Sequence, residues 1–197
     1  MNGKIILASG SPRRAKILKE LGVDFEVVKT DVAEVTIVPS RPYTAEEAGS
    51  VVETNAMMKA AAGFAAVGGG RGILAADTIV WFRNRILGKP RDLAEAAEFL
   101  RSMSGRVHSV FTGVAYLGAG STAADAPRFA ISESRVKFRK LSEKMIEEYV
   151  ARVKPTDRAG AYDIDESGDL IVEGYEGSYE NIMGLPVEPL KDWGIVR

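Results

Sequence analysis

The chain has 197 residues, with 27 acidic and 26 basic side chains, one histidine and no cysteine. This length is typical of one domain with its own hydrophobic core, so we expect residues 1–197 to form a single domain. The lack of cysteine excludes disulfide scaffolds, thiol nucleophiles and metal centres with thiolate ligands. A lone histidine, His108, excludes a multi-histidine metal site. Metal chemistry must therefore rest on carboxylates, which favour Mg²⁺ or Mn²⁺.

The charge and hydropathy patterns also limit the partners of the chain. A net charge of −1 argues against a general nucleic-acid binder, because phosphate contacts require an excess of basic residues. No segment approaches the roughly 20 consecutive apolar residues that cross a bilayer. The apolar run at residues 5–8 is too short for a secretory signal. We therefore expect a cytoplasmic protein that binds neither nucleic acid nor membranes.

The N-terminal half of the sequence predicts three strands and three helices around an irregular segment at residues 31–42. The apolar and β-branched runs predict strands at residues 4–8, 73–82 and 86–87. Helices are predicted after the capping residues Ser11, Thr44 and Asp92, ending near Gly22, Ala66 and Met103. Thr44 with Glu47, and Asp92 with Glu95, have the spacing of a capping box.

The second half predicts a hairpin of two long strands, at residues 107–117 and 128–138, followed by a helix from Ser142 to about Val153. Beyond residue 157 the sequence is rich in glycine, with a short apolar run at 170–172 and a helix-like tail after Pro189. The alternation of strands and helices indicates one mixed α/β domain.

Residues 9–14, Ser-Gly-Ser-Pro-Arg-Arg, lie where a strand runs into a helix. Free backbone N–H groups, the helix dipole and the guanidinium groups of Arg13 and Arg14 can converge there on one anion, as in phosphate sites. The alternative is an ordinary capped helix with two exposed arginines. Because arginines at a helix N-terminus are unfavourable without a bound anion, the segment favours phosphate binding.

Asp77 interrupts the apolar strand at residues 73–80. A carboxylate in a central strand is costly unless it is paired or binds a metal, so Asp77 lies either at a strand end or in a functional site. Glu34 can add a second oxygen ligand, and Lys59 and Lys89 can neutralise phosphate charge. Taken singly, each of these three is more typical of a solvated surface charge.

Several other motifs are incomplete. Gly88-Lys89-Pro90 lacks the flanking residues of a P-loop, and the chain has no nucleophile elbow for a serine hydrolase built on His108. We interpret His108 as a structural residue. Residues 163–168 resemble the start of an EF-hand loop, but Gly174 occupies the twelfth position, where a glutamate is required, so a polar turn is favoured over a cation site.

As a set, the motifs resemble the Maf family of nucleoside triphosphate pyrophosphatases over nearly the whole chain. The matching segments are residues 7–14, Glu34, Lys59, and residues 75–80, 87–90, 105–110, 112–113, 157–162 and 177–186. The resemblance implies an α/β fold, with a twisted mixed β-sheet flanked by helices and two lobes around a deep cleft, related in shape to the inosine triphosphate pyrophosphatases. It also implies homodimers.

The resemblance further implies hydrolysis of a nucleoside triphosphate to the monophosphate and pyrophosphate with a divalent cation, Mg²⁺ or Mn²⁺. Asp77 matches the catalytic aspartate and would orient or deprotonate the water, sharing the metal with Glu34. Lys89 joins them as a catalytic residue and, with Arg13 and Lys59, would hold the triphosphate. The remaining substrate-binding residues would be Ser9, Ser11, Arg14, Thr78 and Asp165.

Arg13, Arg14 and Thr78 resemble the branch of the family that prefers dTTP and UTP. That branch usually has glutamine where this chain has Asp165, and an ionised aspartate offers only acceptors. If Asp165 contacts the base, the preference shifts toward a base with an amino group, such as cytosine. Two alternatives to dTTP and UTP hydrolysis remain: clearance of modified nucleotides from the pool, and a nucleotide-binding regulator of cell division or septum formation without hydrolysis.

Overall fold

One mixed β-sheet forms the centre of the computed structural model, which describes residues 4–35, 37–38 and 41–196. Within these residues the strand order is β2-β1-β3-β5-β6-β7, with β4 paired to β3. The strands are β1 (Ile5–Leu7), β2 (Phe25–Val27), β3 (Ile73–Phe82), β4 (Arg85–Leu87), β5 (Val107–Leu117), β6 (Arg128–Phe138) and β7 (Val172–Glu176). Strands β2, β1 and β3 are parallel, and the other pairs are antiparallel.

One edge of β3 changes partner along its length. Strand β1 pairs with it only at Ile73 and Leu74, and β4 pairs with it from Val80 onward. Residues 75–79 lie between these two partners, while β5 continues to pair on the opposite edge. The sheet therefore has a gap at the middle of a largely buried strand, and Asp77 lies in that gap.

The helices of the described chain are α1 (Pro12–Glu20), α2 (Ala45–Val67), α3 (Leu93–Met103), α4 (Glu143–Val153), α5 (Gly168–Ile171), α6 (Tyr179–Met183) and α7 (Glu188–Asp192), with a 3₁₀ turn at Ala159–Ala161. The capping box of α2 is confirmed, because Thr44 and Glu47 exchange hydrogen bonds at 3.1 and 2.8 Å. The caps of α3 and α4 form at Asp92 and Ser142.

Two details of the predicted caps are wrong. The Ser11 side chain makes no capping hydrogen bond to α1; instead its backbone N–H donates to Ser9 Oγ. The box at α3 is only half formed, because the Glu95 carboxylate accepts from the backbone and side chain of Arg91 instead of from the Asp92 N–H. At α3 the neighbouring Arg91 has taken the hydrogen bond of Glu95, whereas at α1 the Ser11 hydroxyl is not used as a cap.

The core lies on both faces of the sheet. Helix α2 covers one face of β3 and β5 through small buried residues such as Ala56 and Ala60. On the other face, α1 and α7 pack at one end of the sheet, around Leu18 and Leu190, and α3 and α4 pack at the other, around Leu100 and Ile146. This agrees with the expected α/β fold, in which two lobes flank a cleft. No helix among the described residues is long and apolar enough to span a membrane.

The structure departs from the predicted elements at three places. Strand β2 was not predicted, because three residues carry no periodicity and its pairing with β1 is the only reason that it is extended. Leu170 and Ile171 belong to α5, so β7 begins only at Val172. Helix α7 begins at Glu188, one residue before Pro189, because proline is tolerated in a first helical turn.

Gly113 on β5 pairs with Asp77 and faces α2, where a Cβ would lie 2.5 Å from the carbonyl oxygen of Val52. We expect Gly113→Ala to lower the free energy of unfolding by about 1–3 kcal/mol, because α2 must move off the sheet. Urea unfolding measures this. Gly118→Ala is the matched control, since a Cβ there meets no atom within 4 Å among the described residues. Equal stability of the two variants would contradict the close packing of α2 on β5.

Candidate active site

A cavity of about 910 Å³ opens at the gap in β3. Its walls come from the β1–α1 loop, the segment before α2, the middle of α2, β4 and the turn that follows it, α3, and residues 157–164. Nine of the ten site residues predicted from the sequence line this cavity: Ser9, Ser11, Arg13, Arg14, Glu34, Lys59, Asp77, Thr78 and Lys89. Only Asp165 lies outside the lining.

Lys59 joins the two predicted metal ligands. Its ammonium lies 2.6 Å from Asp77 Oδ1 and 2.7 Å from Glu34 Oε1. Asp77 is buried and the Lys59 side chain is only 14% exposed, whereas Glu34 is largely open to solvent. The three charged groups are thus linked in a row, Asp77–Lys59–Glu34, from the sheet to the mouth of the cavity.

Asn55 holds the second oxygen of Asp77, and sequence reasoning missed it. Its Nδ2 donates to Asp77 Oδ2 at 2.9 Å, while its Oδ1 accepts from the backbone N–H of Val35 at 2.8 Å. The amide therefore fixes both the carboxylate and the segment that carries Glu34. One signal was available: Asn55 precedes Lys59 by four residues, which places both on the same face of α2.

Arg14 is buried, and each nitrogen of its guanidinium group donates a hydrogen bond to another residue of the protein. Its Nε donates to the carbonyl of Gly184 at 2.8 Å, and its two terminal nitrogens donate to Ser9 Oγ at 3.0 Å and to Thr78 Oγ1 at 3.1 Å. Burial lowers the pKa of Arg14 to about 10, so the group remains charged at neutral pH. Arg14 therefore ties the β1–α1 loop to β3 and to the end of α6.

Arg13 and Lys89 bring positive charge to other parts of the cavity. Arg13 lies 3.3 Å from the buried carboxylate of Asp163, which also accepts from Arg158 at 3.0 Å. Lys89 is exposed and forms no ion pair with any residue that the structure describes. Because Asp163 is occupied by two guanidinium groups and nearby backbone N–H groups, the EF-hand-like segment is the polar turn that we expected.

Asp165 lies beside the cavity and not in its wall. One of its oxygens accepts from Lys16 at 2.6 Å, and the other accepts from the Tyr179 hydroxyl at 3.2 Å. Burial, with the nearby charge of Asp165, raises the pKa of Tyr179 to about 12. Both carboxylate oxygens of Asp165 are therefore already hydrogen-bonded to side chains of the protein.

His108 fits the structural interpretation. It is buried edge-on against Phe138 and Tyr162, and its Nε2 lies 2.9 Å from the Tyr162 hydroxyl. Burial lowers the pKa of His108 to about 3, so the ring is neutral at physiological pH. It does not line the cavity.

The carboxylates of Asp77 and Glu34 fit a divalent cation. Both reach the same positive charge, the Lys59 ammonium, and carboxylate oxygens are the ligands that Mg²⁺ and Mn²⁺ prefer. Within the described residues no group of three or more acidic or histidine side chains is arranged around a metal position. The remaining ligands of an ion here would have to come from water or substrate, which is usual for Mg²⁺.

A family model described as "Maf-like protein" matches residues 4–193. The chain belongs to this family. Among curated relatives, the dTTP/UTP pyrophosphatases of Bacillus anthracis and of Bacillus cereus (strain AH820) are each 40% identical over 187 residues, which is 95% of this chain and 92% of theirs.

Solved structures give weaker matches to this Maf-like protein. A nucleoside-triphosphatase, described as a dITP/XTP pyrophosphatase, from Mycobacterium abscessus superposes with a TM-score of 0.41 at 21% identity, over 70% of this chain and 75% of that one. That likeness is too low to bear on fold or activity.

The two hydrogen bonds of Asn55 in this Maf-like protein can be separated by mutation. In Asn55→Leu we expect the Val35 amide to exchange its hydrogen at least about tenfold faster, because its acceptor is gone, and the free energy of unfolding to fall by about 1–3 kcal/mol. Hydrogen exchange of the amide and urea unfolding measure these changes. Asn55→Asp is the control, since it keeps the acceptor for Val35. Unchanged exchange in Asn55→Leu would contradict the tether.

Proposed function

We propose that this protein hydrolyses nucleoside triphosphates, with dTTP and UTP as preferred substrates, to the monophosphate and pyrophosphate. The observation that carries the proposal is the buried carboxylate of Asp77, which faces a large cavity among the cations of Lys59, Arg13 and Lys89. The names of the two Bacillus relatives support the reaction and the choice of substrates.

The cavity meets the electrostatic demand of this reaction. A triphosphate carries about four negative charges, which repel an attacking water unless cations offset them. Arg13, Lys59 and Lys89 line one continuous cavity with the loop of Ser9 and Ser11, whose backbone leads into the N-terminus of α1. Such an N-terminus favours an anion, and the loop is therefore assigned to the phosphates.

Asp77 is the group that acts on water. Asn55 holds one of its oxygens, so the carboxylate cannot rotate freely, and the other oxygen accepts a hydrogen bond from Lys59. When the Lys59 ammonium turns to a phosphate, Asp77 Oδ1 loses this donor, and a carboxylate has enough lone pairs to orient a water and accept its proton while it also contacts a cation. Arg14 acts indirectly, since it donates hydrogen bonds to the side chains of Ser9 and Thr78 and so fixes the β1–α1 loop against β3.

Asp77 and Glu34 would also hold the divalent cation, Mg²⁺ or Mn²⁺. When bound, such an ion offsets phosphate charge and polarises the phosphate oxygens. Asp77 remains the only one of the two carboxylates that is buried, so the position of the reacting water depends on it and on Asn55.

The alternative of a regulator that binds nucleotides without hydrolysing them is less consistent with this site. A buried carboxylate that faces phosphates weakens their binding by repulsion, and a binding protein gains nothing from it. A hydrolase, in contrast, needs that group beside the bond that breaks.

Hydrolysis is tested by pyrophosphate release from dTTP, UTP, CTP and purine triphosphates, with Mg²⁺ or Mn²⁺ and with chelator. We expect metal-dependent release, fastest with dTTP and UTP, and a loss of about 10²–10⁴-fold in kcat in Asp77→Asn, the scale of a lost general base. Asp125→Asn is the control, since Asp125 is exposed and bonded only to Thr122 among the described residues. Full activity of Asp77→Asn would overturn the assignment. The rate with CTP tests whether Asp165 contributes to base choice.

We further propose that the protein is a cytoplasmic homodimer. Supporting this, β7 pairs with residues 135–138 of β6, and no strand among the described residues lies beside the outer edge of residues 128–134, where Phe129 and Ile131 are exposed. We expect sedimentation to show a dimer that dissociates more readily in Phe129→Glu. Leu93→Glu is the control, because Leu93 is an exposed apolar residue on α3, and this variant should leave the dimer unchanged. A monomer at all concentrations would exclude the dimer.

A further inference from the structure

Lys59 contacts both of the carboxylates that are predicted to bind the metal ion, Asp77 and Glu34. Its ammonium is 2.6 Å from Asp77 Oδ1 and 2.7 Å from Glu34 Oε1, and its side chain is 14% exposed. Lys137 and Glu173 form an ion pair of the same length, 2.6 Å, but both side chains are about half exposed and lie on β6 and β7. The Lys59 pair is therefore a partly buried, three-membered contact, unlike an ordinary surface pair.

We propose that Lys59 is a built-in substitute for the divalent cation, so that the free protein binds the metal ion weakly and takes it up together with the nucleotide. The substrate would then be the complex of metal and nucleoside triphosphate, instead of a free nucleotide that meets a metal-loaded protein. This proposal rests on the proposed function.

The Lys59 ammonium and a divalent cation cannot bind the two carboxylates at the same time. An ammonium and a divalent ion repel each other strongly at such short range, and two carboxylates cannot satisfy both. Asp77 cannot turn away to serve another cation, because Asn55 holds its second oxygen at 2.9 Å. One of the two cations must therefore leave the carboxylates before the other can bind.

In the free protein Lys59 has no better partner to move to. Its contacts within the described chain are the two carboxylates, and a partly buried ammonium that leaves them loses its counter-charge. A triphosphate in the cavity changes this balance, because its oxygens offer the ammonium a new set of acceptors. Release of Asp77 and Glu34 by Lys59 is thus coupled to the arrival of phosphate.

Titration of the nucleotide-free protein with Mn²⁺ alone tests the proposal, with bound ion measured by electron paramagnetic resonance. We expect wild type to bind Mn²⁺ weakly and Lys59→Met to bind it at least about tenfold more tightly, because the competing charge is gone. Lys137→Met is the matched control and should leave the affinity unchanged. The gain should disappear in the double variant Lys59→Met/Asp77→Asn, which would locate the ion at Asp77.

Lys59→Gln, which keeps a hydrogen-bond donor without the charge, gives the same test with less disturbance of folding, and circular dichroism checks both variants. Equal Mn²⁺ affinity in wild type and the Lys59 variants, or an equal gain in Lys137→Met, would overturn the proposal. Hydrolysis plays no part in this titration. If wild type releases pyrophosphate but the Lys59 variants bind Mn²⁺ no more tightly, only the proposed role of Lys59 is refuted. If wild type releases no pyrophosphate, the proposed function is refuted.

Discussion

The carboxylate of Asp77 lies on β3, a largely buried strand, at the point where the pairing with β1 has ended and the pairing with β4 has not yet begun. A charge there is tolerated only because an amide and an ammonium from α2 reach it within 2.9 Å. That contact in turn requires α2 to lie very close to the sheet, which small residues on the helix and Gly113 on β5 allow. The cavity, the charge chain to Glu34 and the tether at Val35 all depend on this approach.

Much of the site was predictable because its signals are local. Ser9, Ser11, Arg13 and Arg14 belong to one short motif between a strand and a helix, and Asp77 is conspicuous as a charge within an apolar run. Most helix and strand positions followed from capping residues and hydrophobic periodicity in the same way.

What could not be predicted depends on residues that are distant in the chain. Asn55 looks like any polar helix residue until the helix is placed over Asp77, 22 positions later. Arg14 looks like a second phosphate ligand, but its nitrogens meet Thr78 and the carbonyl of Gly184, 170 residues away. Strand β2 and the hydrogen bond from the Ser11 backbone N–H to Ser9 Oγ likewise depend on neighbours that local propensity does not describe.

The pairing of Lys59 and Arg13 with carboxylates has a consequence for selectivity among anions in the cell. The charges of Lys59 and Arg13 are compensated by carboxylates before any ligand arrives, which reduces their long-range attraction for passing anions. Small anions such as inorganic phosphate carry too little charge to draw the ammonium and the guanidinium away from their partners. A polyanion can do so at several points at once, so we expect the cavity to discriminate among anions by their total charge and length.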